Sequence, residues 1–169
     1  MTCRLSGLGV TTFLALAAAA PAAAQGSGAG DGVRLGVSVG GISTVGLVFE
    51  VYDDTHALEL GVGTWSFRDL SVSVVYKEYL GAGRVRPFVG GGLWVVAARA
   101  ADPTERTGLA LVLRAPLGID WSFADDHSAG LALNVNWGLA VRRSDPLDGL
   151  PMNRRFVPLP EAYYRVRKH

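Results

Sequence analysis

Leu131-Ala132-Leu133-Asn134-Val135-Asn136-Trp137-Gly138-Leu139-Ala140-Val141 sets a large apolar side chain at every second position, with Asn134, Asn136 and Gly138 between them. A period of two belongs to a strand whose faces meet different surroundings; a helix would scatter these side chains around its axis. Leu109 to Trp121 repeats the pattern: Leu109, Leu111, Leu113, Ala115, Leu117, Ile119 and Trp121 alternate against Val112, Arg114, Gly118 and Asp120. Runs of this length exceed the roughly five or six residues common in soluble sheets. They reach the roughly 9 to 11 residues that cross a bilayer at a tilt.

Working outward, the same alternation recurs in Val33, Leu35, Val37, Val39; in Val45, Leu47, Phe49, Val51; in Leu58, Leu60, Val62; and in Leu70, Val72, Val74, Tyr76. Pro87 to Ala97 is apolar almost throughout, around Gly90-Gly91-Gly92, so it reads as a strand of unassigned facing. Its glycines mark a bend or a place where a neighbour needs room. These segments give seven strands. Short turns at Asp53–Thr55, Gly81–Arg84 and Ala124–His127 fall on one side, and longer connections at Ala98–Thr107 and Arg143–Arg155 on the other, as in outer-membrane barrels. An open edge in lipid would strand backbone polar groups. An eighth strand is therefore expected from Phe156 to Val166, although Pro158 and Pro160 each remove a ladder donor.

Alternation alone leaves open whether the apolar face looks inward, as in a soluble ligand-binding barrel, or outward into lipid. The opposite face decides. It carries Ala110, Pro116, Gly118, Ala132 and Gly138 with few charges, a poor surface for water but a good filling for the cramped interior of a small barrel. The candidate interior polar network is Arg34, Glu50, Glu59, Lys77, Arg114, Asp120, Asn134 and Asn136. Trp65, Phe67, Tyr76, Tyr79, Trp121 and Phe123 fall near strand ends and are the candidate interfacial aromatics.

The chain has 169 residues, 49% hydrophobic and 18% charged, with a net charge of +1. That excludes a disordered chain and argues against a nucleic-acid partner. Residues 1–24 read as a cleaved signal peptide: Arg4, an apolar run from Val10 to Ala20, and small residues before Gln25. Residues 25–32 form a flexible lead-in, and 33–169 the barrel domain. Cys3 leaves with the signal, and since Arg4 is its one charged residue, the 15 acids face an equal number of bases in what remains. From Arg142 to His169, seven Lys or Arg stand against three acids, which reads as exposed Arg-rich ends or, alternatively, as a region drawn to the phosphate groups of lipid or the anionic envelope surface.

With its export signal, alternating strands, and the segments Arg86-Pro87-Phe88-Val89-Gly90-Gly91-Gly92-Leu93 and Arg114-Ala115-Pro116-Leu117-Gly118-Ile119-Asp120-Trp121, the chain resembles the bacterial small outer-membrane β-barrel proteins. The resemblance covers about Val33 to Val141. It implies an all-β, up-and-down antiparallel transmembrane barrel of about eight strands in the outer membrane. Roles in that family range over adhesion, envelope stabilisation, narrow pores and lipid modification. Such barrels typically finish on an aromatic residue that the assembly machinery recognises, whereas here Tyr164 is followed by Arg165-Val166-Arg167-Lys168-His169.

Catalytic signatures are not evident. Gly90–Gly92 lacks the spacing and the following helix of a phosphate loop. Beyond the signal the only metal-ligating His are His56, His127 and His169, too dispersed for a site. Asp125-Asp126-His127 and Asp53-Asp54 read as solvated turns, and Ser71 and Ser73 as small polar interior packing. The expectation is a monomeric outer-membrane barrel with an envelope-structural or surface-interaction role, a narrow or plugged interior, no catalysis, and no cofactor or metal. Its partners would be outer-membrane lipid and the barrel-assembly machinery. The alternatives are a soluble periplasmic or secreted barrel binding a hydrophobic ligand and, third, a lipid-modifying barrel enzyme.

Overall fold

Each strand of this protein hydrogen-bonds to a neighbour on both sides, so the sheet has no free edge. The computed structural model describes residues 32–81, 83–98, 107–142 and 156–168. The strands in chain order are β1 (Gly32–Gly40), β2 (Ser43–Tyr52), β3 (His56–Thr64), β4 (Asp69–Tyr79), β5 (Val85–Ala98), β6 (Gly108–Ser122), β7 (His127–Arg142) and β8 (Phe156–Lys168). Successive strands pair antiparallel, and β8 closes on β1, with Leu35 opposite Val166 and Gly40 opposite Glu161. The result is an all-β, up-and-down closed barrel of eight strands. The predicted signal peptide and nearly all of the lead-in lie outside the described residues; Gly32, assigned to the lead-in, opens β1.

Pairing follows the pleat. Opposite residues share a face, and the apolar sets read from the sequence point outward: Leu47, Leu60, Leu117 and Leu133 are all more than two-fifths exposed. β5, whose facing was open, turns Phe88, Trp94 and Val96 inward. Gly90 and Gly92 lie opposite Lys77 and Arg114, and glycine is needed there because a Cβ would collide with the Tyr76 and Val74 carbonyl oxygens of β4.

The outward set predicted through Val141 stays exposed to its end, with Leu139 at 52% and Val141 at 44%, although the pairing changes near the end of β7. The β6–β7 register shifts between Leu111 and Val112, so that Leu111 faces Ala140 while Val112 faces Gly138. Beyond this bulge Val141 lies opposite the inward-facing Ala110. One extra residue in a strand shifts the pairing after it, and at this end of the barrel Ala140 and Val141 are both exposed.

The two ends of the barrel differ. One carries the β2–β3, β4–β5 and β6–β7 turns together with both ends of the described chain; it is called the short-turn end below. The other carries the connections 99–107 and 143–155, and also the tight β1–β2 turn. There Gly40 and Gly41 take φ of 83° and 67°, a left-handed backbone that glycine adopts without strain. This turn tucks Ile42 into the barrel, where it is 2% exposed.

Candidate functional site

The barrel interior gathers the buried charged side chains of the described residues, and the pleat puts them there. All eight predicted network residues lie on the inward face and are buried: Arg34, Glu50, Glu59, Lys77, Arg114, Asp120, Asn134 and Asn136. They join into two linked groups.

Nearer the short-turn end, Arg34 bonds Glu50 and Asp120 at 3.2 Å each. Arg165 bonds Glu50, and Asp120 at 2.6 Å. The hydroxyl of Tyr79 donates to Glu50 at 3.0 Å, and that of Tyr163 to Asp120 at 3.3 Å. Further along the axis, Lys77 bonds Glu59 and lies 3.6 Å from Glu50. Arg114 donates to Glu161 at 2.5 Å, to Asn134 at 2.7 Å and to Ser73 at 2.9 Å. Among the described residues Asn136 donates to two backbone carbonyls, those of Asn134 and Val157, at 3.1 Å.

Four fully inward cations (Arg34, Lys77, Arg114, Arg165) therefore face four inward acids (Glu50, Glu59, Asp120, Glu161). Burying charge is costly unless each ion is paired and hydrogen-bonded. Here Glu50, Glu59 and Asp120 each lie within ion-pair distance of three cations. Aromatic rings add to the cations' surroundings: Lys77 Nζ lies 4.8 Å from the Phe88 ring centroid, and Arg165 4.1 Å from that of Tyr163. Gly36 permits this packing, because a Cβ there would lie 2.5 Å from Arg165 Cγ.

Toward the long-connection end the polar filling gives way to an apolar one. Ile42, Trp94, Val96, Ala110 and Val112 pack together, with Leu159 against them. The barrel is thus filled by its own side chains along most of its axis.

Arg165, Glu161, Tyr163 and Arg86 belong to the interior and were not singled out from the sequence. Arg165, read as part of an exposed basic end, is 0% exposed. A signal was present: Glu161, Tyr163, Arg165 and Arg167 alternate with Ala162, Tyr164 and Val166, the same period of two. Tyr79 needs a correction too. It was placed among the interfacial aromatics, but it is 2% exposed inside the barrel, because it shares the parity of inward Lys77 on β4.

The remaining five aromatics are exposed. Trp65 and Phe67 sit in the β3–β4 connection. Tyr76, Trp121 and Phe123 sit toward the short-turn end, where Phe123 stacks on His127 and Tyr164. His127, read as part of a solvated turn, begins β7 and bonds the Tyr164 hydroxyl through Nδ1 at 2.7 Å. His56 stacks on Tyr76 at 5.7 Å. Asp53 does form a turn: backbone N–H groups of His56 and Thr55 donate to its carboxylate at 2.6 and 2.8 Å. They hold that carboxyl below its ordinary value of 3.8. Ser71 and Ser73 are both buried. No group of three or more His, Cys, Asp or Glu that could hold a metal occurs among the described residues.

No protein-family model matches the chain, and no curated protein matches it. Among solved structures, the N-terminal β-barrel domain of Pseudomonas aeruginosa OprF is similar, with a TM-score of 0.59. The likeness is one of fold. The alignment covers 82% of this chain and 96% of that domain at 12% sequence identity.

Proposed function

We propose that this protein is a small outer-membrane β-barrel with an envelope-structural or surface-contact role, inserted with its short turns toward the periplasm. The observation that carries the reading is the inversion of polarity across the wall. Outward positions of all eight strands expose large apolar side chains, among them Leu35, Leu47, Leu60, Val74, Val95, Leu117, Leu131 and Val166. The interior holds the buried ions. Soluble proteins rarely expose contiguous apolar patches beyond a few hundred Å², whereas a lipid-facing wall requires them. The strands, 9 to 16 residues long, are long enough to cross. The fold shared with the OprF barrel domain is consistent with this reading.

A barrel for an apolar ligand would need its apolar residues inside, and the ion network and the Ile42–Trp94 cluster occupy that space. The same filling favours a plugged interior over an open pore. The exposed aromatics toward both ends suit membrane interfaces, with outer-membrane lipid as the standing partner.

Expression of the full chain, followed by membrane fractionation and electrophoresis of unheated and boiled samples, tests the reading. Outer-membrane recovery with a heat-dependent shift supports it. Folded protein released without detergent in the periplasmic fraction would overturn it.

A further inference from the structure

A cavity of about 260 Å³ opens at the short-turn end, above the ion network. Its floor is cationic. Arg34 lies 3.9 Å from the Tyr52 ring centroid and is tied to Glu50 and Asp120. Arg86 lies 4.5 Å from the Tyr79 ring centroid and donates to the Asp54 carbonyl at 3.4 Å. Arg167 lies 5.6 Å from the Tyr52 centroid. Aromatic and ionic contacts hold these guanidinium groups in place before any ligand arrives, which lowers the ordering cost of binding.

The rim is anionic. Asp54 sits in the β2–β3 turn and Asp125 in the β6–β7 turn, which are diametrically placed in an eight-stranded ring, yet both line this cavity. The Asp125 side chain makes no hydrogen bond or ion pair among the described residues. Ser128, 3% exposed on the inner wall, lines the same space, and its Oγ has no hydrogen-bond partner. A buried hydroxyl is ordinarily satisfied. The Ser128 Oγ is itself enclosed in the wall, so the residue borders the cavity without opening its hydroxyl onto it.

We propose that this mouth is a binding site for a small zwitterion, of amino-acid or dipeptide size, carrying one ammonium and one carboxylate. The carboxylate seats on Arg86 and Arg167, where guanidinium geometry matches two oxygens. The ammonium lies between Asp54 and Asp125. The volume fits this class, falling just below the roughly 300 Å³ at which pockets for larger ligands begin. The site belongs to the barrel end, so it stands or falls independently of the membrane reading.

The test uses the full chain refolded in detergent micelles and titrated with dialanine, read by calorimetry and by amide chemical shifts of the mouth residues. Saturable binding is expected, weakened about tenfold or more by N-acetylation of the probe, and likewise by C-terminal amidation. Asp125→Asn, an exposed turn change that leaves the wall intact, should weaken dialanine by a similar factor, and Arg86→Gln likewise. The heat-dependent gel shift certifies folding of each variant; if Arg86→Gln fails to fold, Asp125→Asn and the blocked probes decide. A non-saturating response identical for dialanine and both blocked forms would overturn the proposal, as would an unchanged affinity in Asp125→Asn.

Discussion

Glu50 and Glu59 stand directly opposite each other on β2 and β3, both buried, and Lys77 and Arg165 each lie within ion-pair distance of both carboxylates. Like charges directly opposite on a sheet repel, and burial strengthens that repulsion. The pair is tolerable because two cations, one from the neighbouring β4 and one from the closing strand β8, sit between them. The last strand is therefore joined to β2 electrostatically as well as to β1 and β7 by its ladders.

Arg165→Met should destabilise the barrel by about 3–5 kcal/mol, the usual cost of leaving buried charge without its partner. Adding Glu50→Gln to that variant should recover part of the loss, since an acid that lost its cation is then neutral. Urea unfolding followed by the heat-dependent gel shift measures both. Equal midpoints for the wild type and Arg165→Met would show that the ion network contributes nothing.

Removing Phe156 to His169 should abolish closed-barrel formation, because β8 pairs with both β7 and β1. Refolding the truncated chain into detergent should give no heat-dependent shift. A normal shift would show that seven strands close without it.

Leu133 and Asn134 test the two faces of one strand. Leu133→Arg, on the outward face, should cost roughly 2–4 kcal/mol if the residue lies near the bilayer midplane. Asn134→Ser keeps the wall intact but loses bonds to Arg114 and Glu161, so it should assemble yet unfold earlier, by about 1–3 kcal/mol. An assembly assay and urea midpoints separate these outcomes; identical behaviour in both assays would contradict the face assignment.

Asp53 should titrate below 3.8 in the folded protein, because two backbone N–H groups favour its charged form. A depressed folded value means that this turn's contribution is present at neutral pH and is lost as pH falls through that value. Side-chain NMR titration of Asp53, with Asp53→Asn as control, reads it directly; a midpoint at or above 3.8 would contradict the turn geometry.

The sequence pattern made much of this architecture legible, and the failures have physical causes. Leu131 to Trp137 shows its facing because one side of the wall carries exposed apolar side chains and the other packs the interior. Arg165 was missed because Pro158, Pro160 and a run of basic residues obscured a period of two. Tyr79 was assigned to an interface because nearness to a strand end says nothing about side, whereas parity with Lys77 does. The opposition of Glu50 and Glu59 depends on register, which alternation within each strand does not specify.

The central claim is that the apolar wall faces lipid. Cys3 is the chain's sole cysteine and lies in the predicted signal segment, so single cysteines can be placed at residues 131 to 137 of the refolded protein in liposomes and spin-labelled. Accessibility to oxygen, which concentrates in lipid, should be high at 131, 133, 135 and 137 and low at 132, 134 and 136. Outward positions more accessible to a water-soluble relaxation agent than to oxygen would contradict the claim.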